Sequence, residues 1–369
     1  MAVAVAFGLG LQLPAWAAEP PGAPVLRVET GSHVNVVRAV AVDASGRWAV
    51  TASDDKTARV WEVATGAPGP VLRVPIGEGA EGRLQAVVIT PDGARVAVAG
   101  STGVPWDGSN AVHVFDRASG ALLRRINTGS TQPVVTLALS ADGRMLAVGL
   151  GGNGGLRVLD FNTGASLAQD TDYAESIYAL DFSADGRRLV SGGADGRLRL
   201  YGIEQNRLRL AAGGRPPAGR LIAQARFSPD GQLIAVGFED LPQVLVLDGS
   251  TLAQRAAPTT QGAAPGAFSS LAWSPDGSEL WGGGTHRDGG RWLLRGWPRA
   301  DFRQFTDRPA AGASVLALVT LPTQRVLFVS GEPAWGILDV AAQAQARSQP
   351  SVASLTNVFF GIQLNFGTS

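Results

Sequence analysis

The sequence predicts an all-β fold assembled from repeated four-stranded units, and three observations predict it. The first is a recurring turn: DASG ending at Gly46, TPDG at Gly93, SADG at Gly143 and Gly186, SPDG at Gly231 and Gly277. The intervals are 47, 50, 43, 45 and 46 residues, and a degenerate seventh copy, LPTQ at 321–324, follows 47 further on. The second is that each turn is flanked by short apolar runs, β-branched or aromatic and bounded by Gly, Pro, Asp or Asn, which read as strands. The third is the lack of any 3.6-residue apolar period, in a chain whose 48 Gly and 22 Pro punctuate it too densely for long helices. Four antiparallel strands at this interval form a propeller blade, whereas a sandwich does not explain repetition at fixed spacing. A seven-bladed β-propeller is therefore expected.

The strands follow one order within each copy. Before the turn stand RAVAVD, QAVVIT, VTLALS, YALDFS, AQARFS, SSLAWS and LALVTL. After it come runs such as RWAVTAS, RVAVAG, RMLAVG and QLIAVG. A third set, ARVWEV, VHVFDR, LRVLDF, LRLYGI, VLVLDG, WLLRGW and WGILDV, follows a Gly-rich turn, and a weaker fourth run closes each copy. The pentapeptide PVLRV occurs at 24–28 and again at 70–74, one period apart, so the two copies read as equivalent outer strands.

The stretch ASDDKTARVWEVATG at 52–66 resembles the WD-repeat family: a Ser, an Asp-bearing turn and a Trp followed by an acid match that family's consensus. The resemblance covers 24–346 in seven copies. It implies a ring closed by an N-terminal strand that becomes the outer strand of the last blade. Residues 24–29 are then expected to pair with 335–340, because the alternative strand of copy seven, AQAQARS, is poor in β formers. It also implies a structural tetrad of His33, Ser53, Asp55 and Trp61, each hydrogen bond of which stabilises by about 1 kcal/mol. The same His, Asp and Ser could be read as a hydrolytic triad; the stapling role is the one the resemblance assigns. Asp195 keeps the turn acid in copy four, Asn153 replaces it in copy three, and no other His stands in the place of His33.

Composition narrows the function. Basic and acidic residues balance at 31 each, so nothing global points to nucleic acid or to a membrane surface. Cysteine is absent, which excludes disulfides, thiolate zinc sites and a cysteine nucleophile within these residues. Residues 1–18 read as a signal-like segment, an apolar run ending in Ala15-Trp16-Ala17, though without a basic residue before it; a periplasmic or secreted protein is expected, with no spanning segment.

Two long loops join second and third strands. One carries Trp106 and Asp107, the other His286, Arg287 and Asp288, and both open on the face that bears Glu239 and Asp240. Exposed Trp and Arg on a rigid scaffold are candidates for partner binding; alternatively Trp106 folds onto its own loop and His286 is solvated. His286 with Asp288 offers too few ligands for a metal, and no cofactor is expected. A basic run in copy four, Arg197, Arg199, Arg207, Arg209, Arg215 and Arg220 against the single acid Glu204, is a second candidate surface. Arginines there also serve to discourage sheet edges from pairing.

Residues 347–369 form a tail in which Phe360, Ile362, Leu364 and Phe366 alternate with Gly361, Gln363 and Asn365, reading as one further strand or the start of another domain. No set of nucleophile, base and oxyanion donors emerges. The expectation is a non-catalytic scaffold for protein–protein contacts, not an enzyme. One alternative is a regulatory propeller segment of a larger bacterial protein with a caspase-like peptidase domain, an arrangement that some proteins resembling this one have. Another is a propeller enzyme with a site in the central channel, against which the apolar inner runs argue, since they add only Asp181 and Arg226.

Overall fold

The computed structural model describes residues 31–103, 108–205, 207–217, 219–340 and 347–348. They form seven antiparallel blades: blade 1 (37–73), blade 2 (84–127), blade 3 (134–170), blade 4 (177–214), blade 5 (222–256), blade 6 (270–311) and blade 7 (315–348). The first strand of each blade contacts the first strand of the next, and that of blade 7 returns to that of blade 1. The result is the expected all-β seven-bladed propeller around a central channel. Blade 6 departs from the plain four-strand pattern. Its third strand, Arg291–Pro298, starts beyond the sheet and pairs there with Arg287–Asp288 as a short hairpin.

The recurring turn is a self-sufficient unit. In blade 4, Ser183 Oγ donates to Asp185 Oδ1 at 2.5 Å and accepts from the Arg188 amide at 3.0 Å, while Asp185 Oδ1 accepts from the Arg187 amide at 3.0 Å. The same bonds recur at Ser140/Asp142, Ser228/Asp230 and Ser274/Asp276. Side chains thus satisfy backbone donors that the tight turn leaves open. The closing residue adopts φ of 67–69° in the first six turns, always glycine, and 52° at Gln324 in the seventh. The degenerate LPTQ copy therefore keeps the geometry of the turn without the residue that favours it.

Both faces of each blade are apolar, and neighbouring blades cover them. Seven buried clusters lie at the seven blade-to-blade interfaces. The period read in the sequence reappears between blades. The Phe227 amide donates to Asp181, the Leu271 amide to Gln224, and Thr320 Oγ1 to the Trp273 carbonyl, each spanning 46 or 47 residues.

The seam between blades 7 and 1 is built like the others. Val37, Trp61, Leu327, Val329 and Trp335 share one cluster, and the Trp61 and Trp335 rings lie 5.5 Å apart. Pro322 of the seventh turn crowds Gly46 of the first, where an added Cβ would sit 2.7 Å from the proline ring. Pro91 stands more loosely over Gly143, at 3.2 Å from such a Cβ, and Pro229 over Gly277 at 3.4 Å, an ordinary contact. The expected closing strand 24–29, like the segment 1–18 and most of 347–369, lies outside the described residues. On the edge it was expected to take, Gly336 and Ile337 pair with Ser348 and Arg347, the last two residues of AQAQARS. Among the described residues that contact comprises these two pairs.

Gly186 tests the turn in isolation, since an added Cβ there meets nothing closer than 3.7 Å. Gly186→Ala should lower stability by about 1 kcal/mol through the positive φ alone, and Gln324→Gly should be neutral or stabilising. Chemical denaturation of the two variants checks both signs.

Candidate functional site

Blade 1 holds a buried relay. His33 Nδ1 lies 2.7 Å from Asp55 Oδ2, His33 Nε2 lies 2.8 Å from Thr51 Oγ1, and Trp61 Nε1 donates to Thr51 Oγ1 at 2.8 Å. The network is satisfied when the imidazole donates from Nδ1 and accepts at Nε2 from the threonine hydroxyl. Asp55 further accepts from Thr57 Oγ1 at 2.6 Å and from the Val34 amide at 3.1 Å. Burial raises the Asp55 carboxyl, but the hydrogen bond from His33, with those from Thr57 and the Val34 amide, holds it below its ordinary range.

This corrects the expected tetrad at one position. Thr51, not Ser53, links the histidine to Trp61. Ser53 donates to the Asn35 carbonyl and accepts from the Asp55 amide, both at 3.0 Å, and so fixes the turn rather than the relay. Thr51 and Ser53 are two apart on one strand and share a side; only the depth of the Trp61 ring decides which hydroxyl it reaches. For hydrolysis, Ser53 is spent on backbone and is not hydrogen-bonded to His33.

Blade 4 carries a second staple that the sequence reading missed. Tyr173 and Ser191 stand eighteen residues apart, as do His33 and Thr51, and their hydroxyls lie 2.6 Å from each other. Tyr201, in the place of Trp61, lies 2.8 Å from Tyr173 Oη and donates to Asp170 at 2.8 Å. Asp195 pairs with Arg199 at 2.8 Å, and the Arg199 guanidinium stacks 3.9 Å over the Tyr173 ring. Burial pushes both tyrosine hydroxyls above their ordinary range. The signal was present: Tyr173, Ser191, Asp195 and Tyr201 follow His33, Thr51, Asp55 and Trp61 at a constant offset of three repeats. Arg199 is thereby taken out of the expected basic patch, since it is buried and paired.

The long loop of blade 6 is braced from within. Arg295 donates to both Asp307 oxygens at 2.7 Å, and its Nη2 lies 3.2 Å from His286 Nε2. His286 is only 5% exposed and packs 5.4 Å from the Phe268 ring. It is therefore neither a partner-binding nor a solvated residue, because the hairpin folds it under the loop. Burial raises the Asp307 carboxyl, but the Arg295 fork outweighs it and holds the group at about 2. Arg287 and Asp288 remain exposed at the hairpin, where Arg287 sits 5.8 Å over the Trp292 ring.

The face that carries this hairpin opens into a channel mouth of about 590 Å³, lined by Arg38, Gln85, Tyr178, Leu221, Glu239 and Thr285 among others. Tyr178 and Leu221 are 44% and 37% exposed, and Glu239 is exposed. Asp240 instead accepts from the Arg220 and Leu221 amides at 2.7 and 3.1 Å, anchoring the chain before blade 5. Trp106 and Asp107 lie outside the described residues. Arg226 lines this mouth and the cavity of about 560 Å³ at the opposite end. It pairs with Asp181 at 3.4 Å, and burial keeps the Asp181 carboxyl above its ordinary range despite that neighbour. Arg207 and Arg209 are exposed on the outer strand of blade 4 with Arg215 just past its end, while Arg197 and Arg220 are exposed in the turn before its third strand and in the connection to blade 5.

Thr51→Val should cost about 1–3 kcal/mol, because it strands two buried ring nitrogens, while Ser53→Ala should cost less. Thermal unfolding of the pair distinguishes the relay from the turn. Asp307, with a folded value near 2 against an ordinary 3.8, adds stability that is present above pH 4 and lost as pH falls toward 2. Urea unfolding across that window should show a shallower acid limb for Asp307→Asn than for the parent.

The sequence model of the WD domain, G-beta repeat, matches residues 25–62 and 167–202. The second match begins in the outer strand of blade 3 and ends in the third strand of blade 4; by the same register, the first begins at the expected closing strand. The chain is 29% identical over 184 residues to a guanine nucleotide-binding protein subunit beta of Arabidopsis thaliana, covering 47% of this chain and 46% of that protein. It is 24% identical over 225 residues to protein groucho of Drosophila melanogaster, covering 58% and 28%. With actin-interacting protein 1 of the same fly, identity is 26% over 178 residues, covering 47% and 28%. The chain thus spans less than half the length of each of these relatives. The two segments that match the repeat family are those whose blades keep a complete buried staple, and it is there, in a seven-bladed propeller, that this chain is most plainly WD-repeat-like.

Proposed function

We propose that the protein is a non-catalytic platform for protein–protein contacts, with its site at the channel mouth beside the blade 6 hairpin. The observation that carries this reading is the contrast between spent and unspent side chains. His33, Asp55, Ser53, His286, Asp307 and Arg295 are engaged with one another or with backbone. At the mouth, Tyr178, Leu221 and Glu239 face solvent beside an Arg287–Trp292 hairpin anchored on a buried ionic network. Aromatic and arginine side chains held on a rigid rim are what binding hot spots are made of. The names of two relatives, a guanine nucleotide-binding protein subunit and an actin-interacting protein, agree with an interaction role. The signal-like segment 1–18 supports a periplasmic or secreted setting for it.

A channel enzyme is the weaker reading. The Asp181–Arg226 pair sits in a wall otherwise supplied mainly by Val, Ala and Leu, and Asp181 Oδ2 already accepts from the Phe227 amide at 2.8 Å. Affinity purification from the native host, with the parent beside a Tyr178→Ala/Arg287→Ala variant, tests the platform reading. A stoichiometric protein recovered with the parent and lost from the variant is expected. The same proteins on both, or none on the parent, would overturn the proposed site.

A further inference from the structure

We propose that the outer strand of blade 4, Arg207–Gly214, is a docking edge that takes an extended acidic segment of a partner protein as a fifth strand. This adds to the platform reading a second surface, on the rim of the ring and away from the channel mouth.

Length is the first argument. At 8 residues this is the longest outer strand among the described residues, against 6 in blades 1, 2 and 6, 5 in blade 3 and 3 in blade 5. It offers about 27 Å of edge. Among the described residues no strand pairs with its far side, so a row of backbone donors and acceptors faces outward. Proline interrupts the outer strands of blade 1, at Pro68 and Pro70, and of blade 6, at Pro309; blade 4 has none. Leu210 is 56% exposed on this strand, an apolar contact for an added chain.

Charge selects the occupant. Several arginines elsewhere are matched, Arg38 with Asp54, Arg255 with Asp248 and Arg295 with Asp307, while others, such as Arg124 on the outer strand of blade 2, have no ion pair among the described residues. What marks blade 4 is that its arginines stand on and beside the longest described edge. Arg207, Arg209 and Arg215 are exposed, and among the described residues none has an acid within 4 Å. Glu204 stands opposite Arg207 in the ladder yet forms no ion pair with it. Arg207 and Arg209 sit at one end of the strand, with Arg215 just past the other. Arginines on an edge repel basic strands and desolvate poorly against neutral ones, so the feature that discourages indiscriminate pairing is also what admits an acidic strand. Backbone hydrogen bonds then supply affinity and the arginines supply selection, as in other cases of strand addition.

The test is fluorescence polarisation with a labelled eight-residue peptide alternating Glu and Val. Five comparisons accompany it: a Lys/Val peptide, the Glu/Val peptide N-methylated at alternate residues, heparin, and two protein variants. Saturable binding of the Glu/Val peptide is expected, weakened roughly tenfold by Arg207→Ala/Arg209→Ala. The N-methylated and Lys/Val peptides should not bind. Tyr178→Ala/Arg287→Ala should bind as the parent does, so failure here is separable from failure at the channel mouth. No binding, equal binding of the N-methylated peptide, or heparin binding that outlasts the double arginine change would overturn the proposal.

Discussion

Closure of the ring is the constraint on which everything else in this molecule rests. A single blade has two apolar faces and cannot cover either by itself; each is buried only because a neighbour stands on that side. Six such interfaces join blades that follow one another in the chain. The seventh joins the first blade to the last, through Trp61, Trp335, Val37 and Leu327. Without it, two large apolar sheet faces would meet water, and the channel that positions Tyr178, Glu239 and Arg226 would not exist as a channel.

Within that ring the molecule spends its polar groups in two ways. Most are consumed locally, in S-x-D-G turns and in the buried relays of blades 1, 4 and 6. These relays differ in chemistry but not in purpose. One runs Trp–Thr–His–Asp, one Tyr–Ser with Tyr and Asp, and one pairs an arginine fork with an aspartate beside a histidine. Each ties the third strand of a blade to a loop that caps it. What remains unspent collects on surfaces, at the channel mouth and along the rim of blade 4, and there recognition becomes possible.

The period, the strand order and the blade count were all legible in the sequence, because turn chemistry and apolar alternation are local and repeat. The relays were only half legible. His33, Asp55 and Trp61 could be named from spacing, but Thr51 could not be told from Ser53, since both are small hydroxyl residues on the same strand and the choice depends on how deep the indole lies. Tyr173 escaped because a phenol and an imidazole share no consensus letter, although they fill the same place. His286 and Arg199 read as surface residues from their charged neighbours. Burial by a hairpin in one case, and stacking on a tyrosine in the other, are long-range events with no local mark. The contact of Arg347 and Ser348 on the last blade was legible only as the alternative set aside, because AQAQARS is poor in β formers.

The turns also bear on the order in which the molecule can assemble. Each S-x-D-G hairpin draws its hydrogen bonds from within six residues, so it can form in microseconds without reference to the rest of the chain. The seam is the opposite case: Trp61 and Trp335 meet only after almost the whole chain has been threaded into place, and the entropy of closing so long a loop is repaid by that single interface. Nascent blades can therefore accumulate early as separate hairpins, while the ring waits on its last and most distant contact. Mutations at the seam should then show themselves in the rate at which the native state is reached, and those in the turns in how well each blade survives the wait.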